Sequence, residues 1–193
     1  MFYTTLLAVV ATSVSAQTCL IKPNTVGAIH GGMTIRQARQ ALPGTAFKLS
    51  EDKDQLTIFV VTREGRPVMD LYPDQEDRVT EASKVELIRV YDPACSTAEG
   101  VHPGMPLRDL EKYFGKLSRM ALYEGEPTER AEFSKLPSWL DIQSSDAGIY
   151  PQGKRCTGRF KDSATIQSLW VARPIQNKIP EDPAFCSAPL DKK

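Results

Sequence analysis

Few side chains in this 193-residue sequence titrate near neutral pH, so the inventory of possible chemistry is short. The histidines are His30 and His102. Either could serve as a general base beside a carboxylate such as Asp109, or as one ligand of a metal ion. A metal site needs three or four ligands. The side chains best able to complete one, Cys19, Cys95, Cys156 and Cys186, pair off as disulfides in an oxidising compartment. The sequence therefore implies no metal, no cofactor and no assignable catalytic residue. Ser96, Ser134 and Ser163 stand in no nucleophile-elbow pattern, and no Ser–His–acid set is legible. Asp70 and Asp141 are a carboxylate pair of the type that hydrolyses glycosides. Each, however, sits between apolar neighbours in a strand-like run, where alternation turns it to solvent or into a structural hydrogen bond. Gly31-Gly32 lacks the lysine and the spacing of a phosphate-binding loop.

Binding chemistry is better supplied. Tyr123, Trp139, Tyr150 and Trp170 crowd the second half of the chain, with Arg155 and Arg159 nearby. Aromatic residues with arginine are the usual anchors of protein interfaces, so Tyr123, Trp139, Tyr150, Arg155 and Trp170 are the candidate binding residues. The competing expectation for Trp139 and Trp170 is ordinary core packing. With 24 basic and 24 acidic residues, the chain lacks the positive excess that nucleic acid or an anionic membrane surface would demand.

An internal repeat organises the elements that must carry these residues. IHGGMTIRQARQAL at 29–42 matches VHPGMPLRDLEKYF at 101–114 in its apolar, His, Gly, Met and Arg positions. PVMDL at 67–71 matches SWLDI at 138–142, and VELIRVYDP at 85–93 matches IQSLWVARP at 166–174. The matches keep the same order in both halves, as a duplication requires. In each half Gly-Met leads into a short helix. Thr34 with Gln37 forms a capping box, and Pro106 suits a first helical position. Ile35, Ala38 and Leu42 make one apolar stripe; Leu107, Leu110 and Phe114 make the other. Pro43-Gly44 and Gly115 end the helices.

Strand-like runs follow. In the first half they are 46–49, 56–62, 67–72 and 84–90. In the second they are 119–123, 130–133, 139–142, a weaker 156–160, and 166–172. Alternation of apolar and polar residues runs through Val85, Leu87, Arg89 and Tyr91. The expected fold is α+β: two tandem units, each a short helix packed on an antiparallel sheet of about four strands, spanning residues 17–95 and 96–174. An irregular proline-rich tail occupies 175–193. The first 16 residues read as a secretory signal, with an apolar core at 6–11 and Val14 and Ala16 at the −3 and −1 positions of a cleavage site. No other apolar run approaches membrane length. Four cysteines in an exported chain imply two disulfides, of which Cys156–Cys186 and Cys19–Cys95 each tie a terminal segment to the body of the fold.

The pattern Gly-Met-Thr-x-x-Gln-Ala at Gly32 to Ala38 resembles one found in the β-lactamase inhibitory protein and in the small outer-membrane lipoprotein of the barrel-assembly machinery with its relatives. The resemblance implies helical hairpins packed on antiparallel sheets, in tandem in the inhibitor. The cysteine positions depart from the inhibitor's close pairs, the lipid-attachment site of the lipoproteins is missing, and no binding residue of either group carries over. VYDPACSTAEGVHPGMPLRDLEKYFG at 90–115 is also similar to a stretch of uncharacterised exported bacterial proteins. These features together lead us to expect a periplasmic or secreted, non-enzymatic module. It would bind a protein partner in the envelope or outside the cell, as an inhibitor or an envelope-associated adaptor. The alternative is a small periplasmic enzyme or a metal- or ligand-binding protein built on His30 and His102.

Overall fold

The computed structural model describes residues 19–52, 55–74, 78–123, 128–172, 179–180 and 182–187. The expected signal peptide and most of the tail lie outside the described residues. In chain order the elements are β1 (Cys19–Lys22), β2 (Thr25–Val26), β3 (Ile29–His30), α1 (Ile35–Ala41), β4 (Thr45–Glu51), β5 (Thr57–Arg63), β6 (Arg66–Pro73), β7 (Val85–Val90), β8 (Cys95–Thr97), α2 (Leu107–Phe114), β9 (Leu117–Leu122), β10 (Glu129–Phe133), β11 (Leu140–Ser144), β12 (Cys156–Thr157), β13 (Ser168–Ala172) and α3 (Pro183–Ser187). The fold is α+β, mostly antiparallel sheet with few helices.

Local chemistry explains both main helices. The Thr34 side chain accepts from the Gln37 N–H at 3.2 Å, and the Gln37 amide oxygen accepts from the Thr34 N–H at 2.9 Å, so the capping box is complete. Ile35 and Ala38 are buried beneath. In α2 the buried stripe is Leu107, Leu110 and Phe114. Pro106 stands one place earlier than the sequence suggests: it is the N-cap, because its ψ of 134° is extended and the helix begins only at Leu107. Gly115 ends the helix at φ 72°, where a Cβ would also lie 2.3 Å from the Ser134 hydroxyl. One short helix, not a hairpin, precedes each run of strands.

Backbone hydrogen bonds hang each helix start from a later strand segment, which satisfies amides that a helix leaves open. Gly32 N–H donates to Val85 O at 2.7 Å, Val85 N–H to Met33 O at 2.8 Å, and Ile35 N–H to Ser83 O at 3.0 Å. Gly104 N–H donates to Ile166 O at 2.7 Å, Ile166 N–H to Met105 O at 2.9 Å, and Leu107 N–H to Ala164 O at 2.9 Å.

The strands do not form a separate sheet in each half. They form one nine-stranded sheet, ordered β12-β9-β10-β11-β13-β7-β6-β5-β4, in which β7 and β13 meet at the centre. Leu169 faces Val90, Trp170 faces Arg89 and Val171 faces Ile88 across that junction. One core face runs through Phe59, Val61, Met69, Leu71, Ile88, Val90, Leu169, Val171, Ile142, Ala131 and Met120, and it is buried with Ile35, Ala38, Leu107 and Leu110 in a single cluster drawn from both halves. A β-bulge between Tyr72 and Pro73 opposite β7 breaks the simple alternation, so Val85 joins the core while Leu87 and Arg89 point the other way.

A second, four-stranded sheet, ordered β3-β2-β1-β8, was not legible in the sequence. Its strands are two to four residues long, too short for a period to show. It adds Ile21, Val26 and Ile29 to the core. β1 pairs parallel to β8, and Cys19 and Cys95, opposite one another in that pairing, are joined by a disulfide. The second disulfide joins Cys156 to Cys186, and the part of the tail expected to be irregular contains the one-turn helix α3.

Replacing Cys19 and Cys95 by alanine opens a crosslink between residues 76 apart. The expected cost is about 4 kcal/mol of unfolding free energy by the chain-entropy argument. Denaturant unfolding with the second disulfide intact checks it.

Candidate functional site

The face of the large sheet turned away from α1 and α2 carries an unusual set of side chains. Across adjacent strands Val60, Asp70, Arg89 and Trp170 stand in register, and Asp141 follows on β11. Asp70 is only 5% exposed and Arg89 only 9%. Charges this deep need close partners, and they have them. The Tyr91 hydroxyl donates to the Asp70 carboxylate at 2.5 Å. The Arg89 guanidinium lies 5.1 Å from the ring centres of both Tyr91 and Trp170, and its Nε donates to the Ser168 hydroxyl at 3.2 Å. The Tyr72 ring packs 5.1 Å from that of Trp170, while its hydroxyl donates to Asp52 at 3.1 Å.

Burial sets the electrostatics of this cluster. It pushes the Asp70 carboxyl above its usual range, with the Tyr91 hydrogen bond and then Arg89 opposing. Burial first, and Asp70 second, hold the Tyr91 phenol far above its ordinary range; burial and Asp52 do the same to Tyr72.

The same face continues into a cavity of about 550 Å³ over β9, β10 and β11. Arg119 donates to Glu132 at 2.7 Å, and Arg130 lies 3.6 Å from Asp141 with its guanidinium 4.7 Å from the Tyr123 ring centre. Ile179 forms part of one wall. The C-terminal segment is held there by several ties: Arg119 donates to the carbonyls of Ile179 and Pro180, Arg155 N–H donates to Cys186 O at 3.2 Å, and Phe185 packs 5.3 Å from Tyr123.

The structure brings together only some of the residues singled out from sequence. Trp170 stands at the centre of the outer face, and Tyr123 near its far edge. Trp139, in the turn before β11, packs against the core. Tyr150 lies in the loop after β11, stacked over Gly148, whose added Cβ would meet the ring at 2.3 Å. Its hydroxyl is buried, and burial, then the nearby Glu129 carboxylate, raise its ionisation. Arg155 is buried at the β12 edge, where its carbonyl accepts from Leu122 N–H. His30 ends β3, an edge strand of the small sheet; His102 follows β8 at the opposite edge, with β2 and β1 between. Each ring nitrogen Nδ1 lies near a carbonyl oxygen, that of Gly31 for His30 and of Pro103 for His102. Among the described residues no group of three or more potential ligands converges.

Tyr72, Tyr91, Arg89 and Arg130 were missed as site residues. The signal was present: Asp70 with Tyr72, and Arg89 with Tyr91, are spaced by two on strands that proved adjacent. What the sequence withheld was the β6–β7–β13 neighbourhood that makes them one cluster. Asp70, Asp141 and Glu132 each engage a neighbouring Tyr or Arg, so the arrangement presents fixed dipoles, cations and aromatic faces. That chemistry suits recognition of another surface.

No family model and no curated protein matches the chain in sequence. Among solved structures it is similar to that of the uncharacterised protein YfeY from Escherichia coli, at 16% identity and a TM-score of 0.51, covering 74% of this chain and 90% of that one. At such identity the likeness concerns the fold alone.

Because the folded carboxyl of Asp70 titrates above its unfolded value, near 3.8, the native state holds its proton more tightly. The Asp70 contribution to stability is then greatest in acid and declines as pH rises through the folded value. Asp70→Asn removes that titration. The stability of the variant relative to the parent should therefore increase as pH rises above the unfolded value of 3.8, as chemical denaturation at a series of pH values will show.

Proposed function

We propose that the chain is an exported, non-enzymatic protein-binding module whose binding surface is the outer face of the large sheet. One observation carries this reading: Tyr72, Tyr91 and Trp170 are locked around Arg89 at the centre of that face, and the Trp170 indole N–H is buried without an acceptor among the described residues. Rigid aromatic side chains beside arginine are the residue types that anchor interfaces. The two disulfides are compatible with a periplasmic or secreted protein. Among the described residues no helix is long and apolar enough to cross a membrane. The resemblance of the helix-start pattern to the inhibitory protein and its lipoprotein relatives points the same way, to an inhibitor or an envelope adaptor.

The surface is also best understood as the product of a duplication with a twofold relation at its centre. Residues matched in sequence, Ile88 with Leu169 and Val90 with Val171, pair reciprocally across β7 and β13, as symmetry-related positions do in an isologous contact. Arg89 and Trp170 are matched positions too, and they face each other on the axis. On this reading the duplicated unit supplies the sheet, and divergence at that one matched pair supplies the anchor.

The test is retention of a partner from envelope extract by immobilised mature protein. Trp170→Ala should weaken retention by more than tenfold, whereas Arg36→Ala, exposed on α1, should leave it unchanged. Equal retention by both variants, or no specific retention by the parent protein, overturns the proposal. Thermal unfolding of each variant confirms that the fold persists.

A further inference from the structure

The two ends of the large sheet are treated differently. At β12 the outer edge is occupied: the C-terminal segment lies along it, with Arg155 N–H bonded to Cys186 O and the Cys156–Cys186 disulfide beside it. At the other end of the sheet, β4 has no strand paired to its outer edge among the described residues. This strand pairs with β5 without interruption over seven residues, from Thr45 opposite Arg63 to Glu51 opposite Thr57. It contains no bulge and no proline, two of the devices that protect an edge; its charged residues are Lys48 and Glu51.

The hydrogen-bond phase of that ladder says which groups are unused. Asp52 N–H donates to Leu56 O at 2.9 Å across the hairpin end, which makes 52 and 56 a bonded pair. Bonded pairs alternate in an antiparallel ladder, so Ser50, Lys48 and Ala46 bond to β5, and Phe47, Leu49 and Glu51 direct their amides outward. Among the described residues those three amides meet no acceptor. Leu49 is 52% exposed, among the most exposed of the large apolar side chains, and it sits on this strand.

We propose that β4 is a homodimerisation edge, pairing antiparallel with β4 of a second copy about a twofold axis at Leu49. The register follows from the side chains. Outward-facing residues must oppose outward-facing residues. An axis at Lys48 would set two like charges directly against each other, which destabilises a strand pair. An axis at Leu49 sets the exposed leucine against itself, Phe47 against Glu51 and Lys48 against Ser50. It satisfies the amides of Phe47, Leu49 and Glu51 in both copies and joins two nine-stranded sheets into one. The outer faces of the two copies then lie side by side, so that whatever they bind is met twice.

Leu49→Cys tests this directly. Opposed residues of a bonded antiparallel pair stand about 5.5 Å apart between Cα atoms, within disulfide reach. Mild oxidation should convert the variant to a covalent dimer linked through position 49, identified by peptide mapping. Phe47→Cys and Glu51→Cys should not link alone, since each would face its own copy across roughly 14 Å, but a mixture of the two should link. Leu49→Pro removes only an outward amide and should halve the sedimentation mass without loss of the thermal transition. Linkage through Phe47→Cys alone would overturn the register. A parent protein that sediments as a monomer at every concentration would overturn the dimer.

Discussion

The antiparallel pairing of β7 with β13 is the constraint on which the remaining structure depends. Among the described residues it is the only place where strands of the first half bond to strands of the second within the large sheet. Its register decides the face of every side chain beyond it. With Ile88 opposite Val171 and Val90 opposite Leu169, four apolar residues enter one core, and Arg89 and Trp170 are driven to the other side together. A slip of one residue would send the apolar set outward and bury the guanidinium among leucines. The disulfide between β1 and β8, the helix starts hung from Val85 and Ile166, and the outer-face cluster all presuppose that alignment.

The outer face shows what such a fixed register permits. A carboxylate and a guanidinium on adjacent strands are costly to bury, and the cost is offset only by groups already in place: Tyr91, Ser168 and two aromatic faces. Each partner comes from a different strand or from a strand end. The cluster is therefore rigid because the sheet is rigid, and it presents aromatic area with little rotamer entropy left to lose on binding.

Much of this was legible in the sequence, and the omissions have physical reasons. The capping box at Thr34 and Gln37 and the apolar stripes of both helices are local patterns, so spacing alone located them. The longer strands of the large sheet were found within a few residues at each end. The small sheet was not, because two-residue strands carry no period and the partner of β1 lies far along the chain. The bulge at Tyr72 and Pro73 hid the true side of Val85. For the candidate site, Trp170 and Tyr123 were visible as aromatic residues, but so were Trp139 and Tyr150, which pack elsewhere. Residue type marks an anchor only once its face is known, and face depends on long-range pairing. Alternation turns Asp70 to solvent or into a structural hydrogen bond; it is the buried, hydrogen-bonded member of the cluster.

The ties that hold the C-terminal segment against β9 and β12 bear on how the molecule comes into being. Any chain is synthesised from its amino end. Cys95, which fastens β1, therefore precedes Ile179, Pro180 and Cys186. The cavity therefore gains its Ile179 wall only after its other lining residues have been made. The two carbonyls that accept from Arg119, and the Cys186 carbonyl beside β12, come later in the chain than the strands they meet. The order of synthesis thus leaves the β12 boundary of the sheet to be closed after the core strands exist.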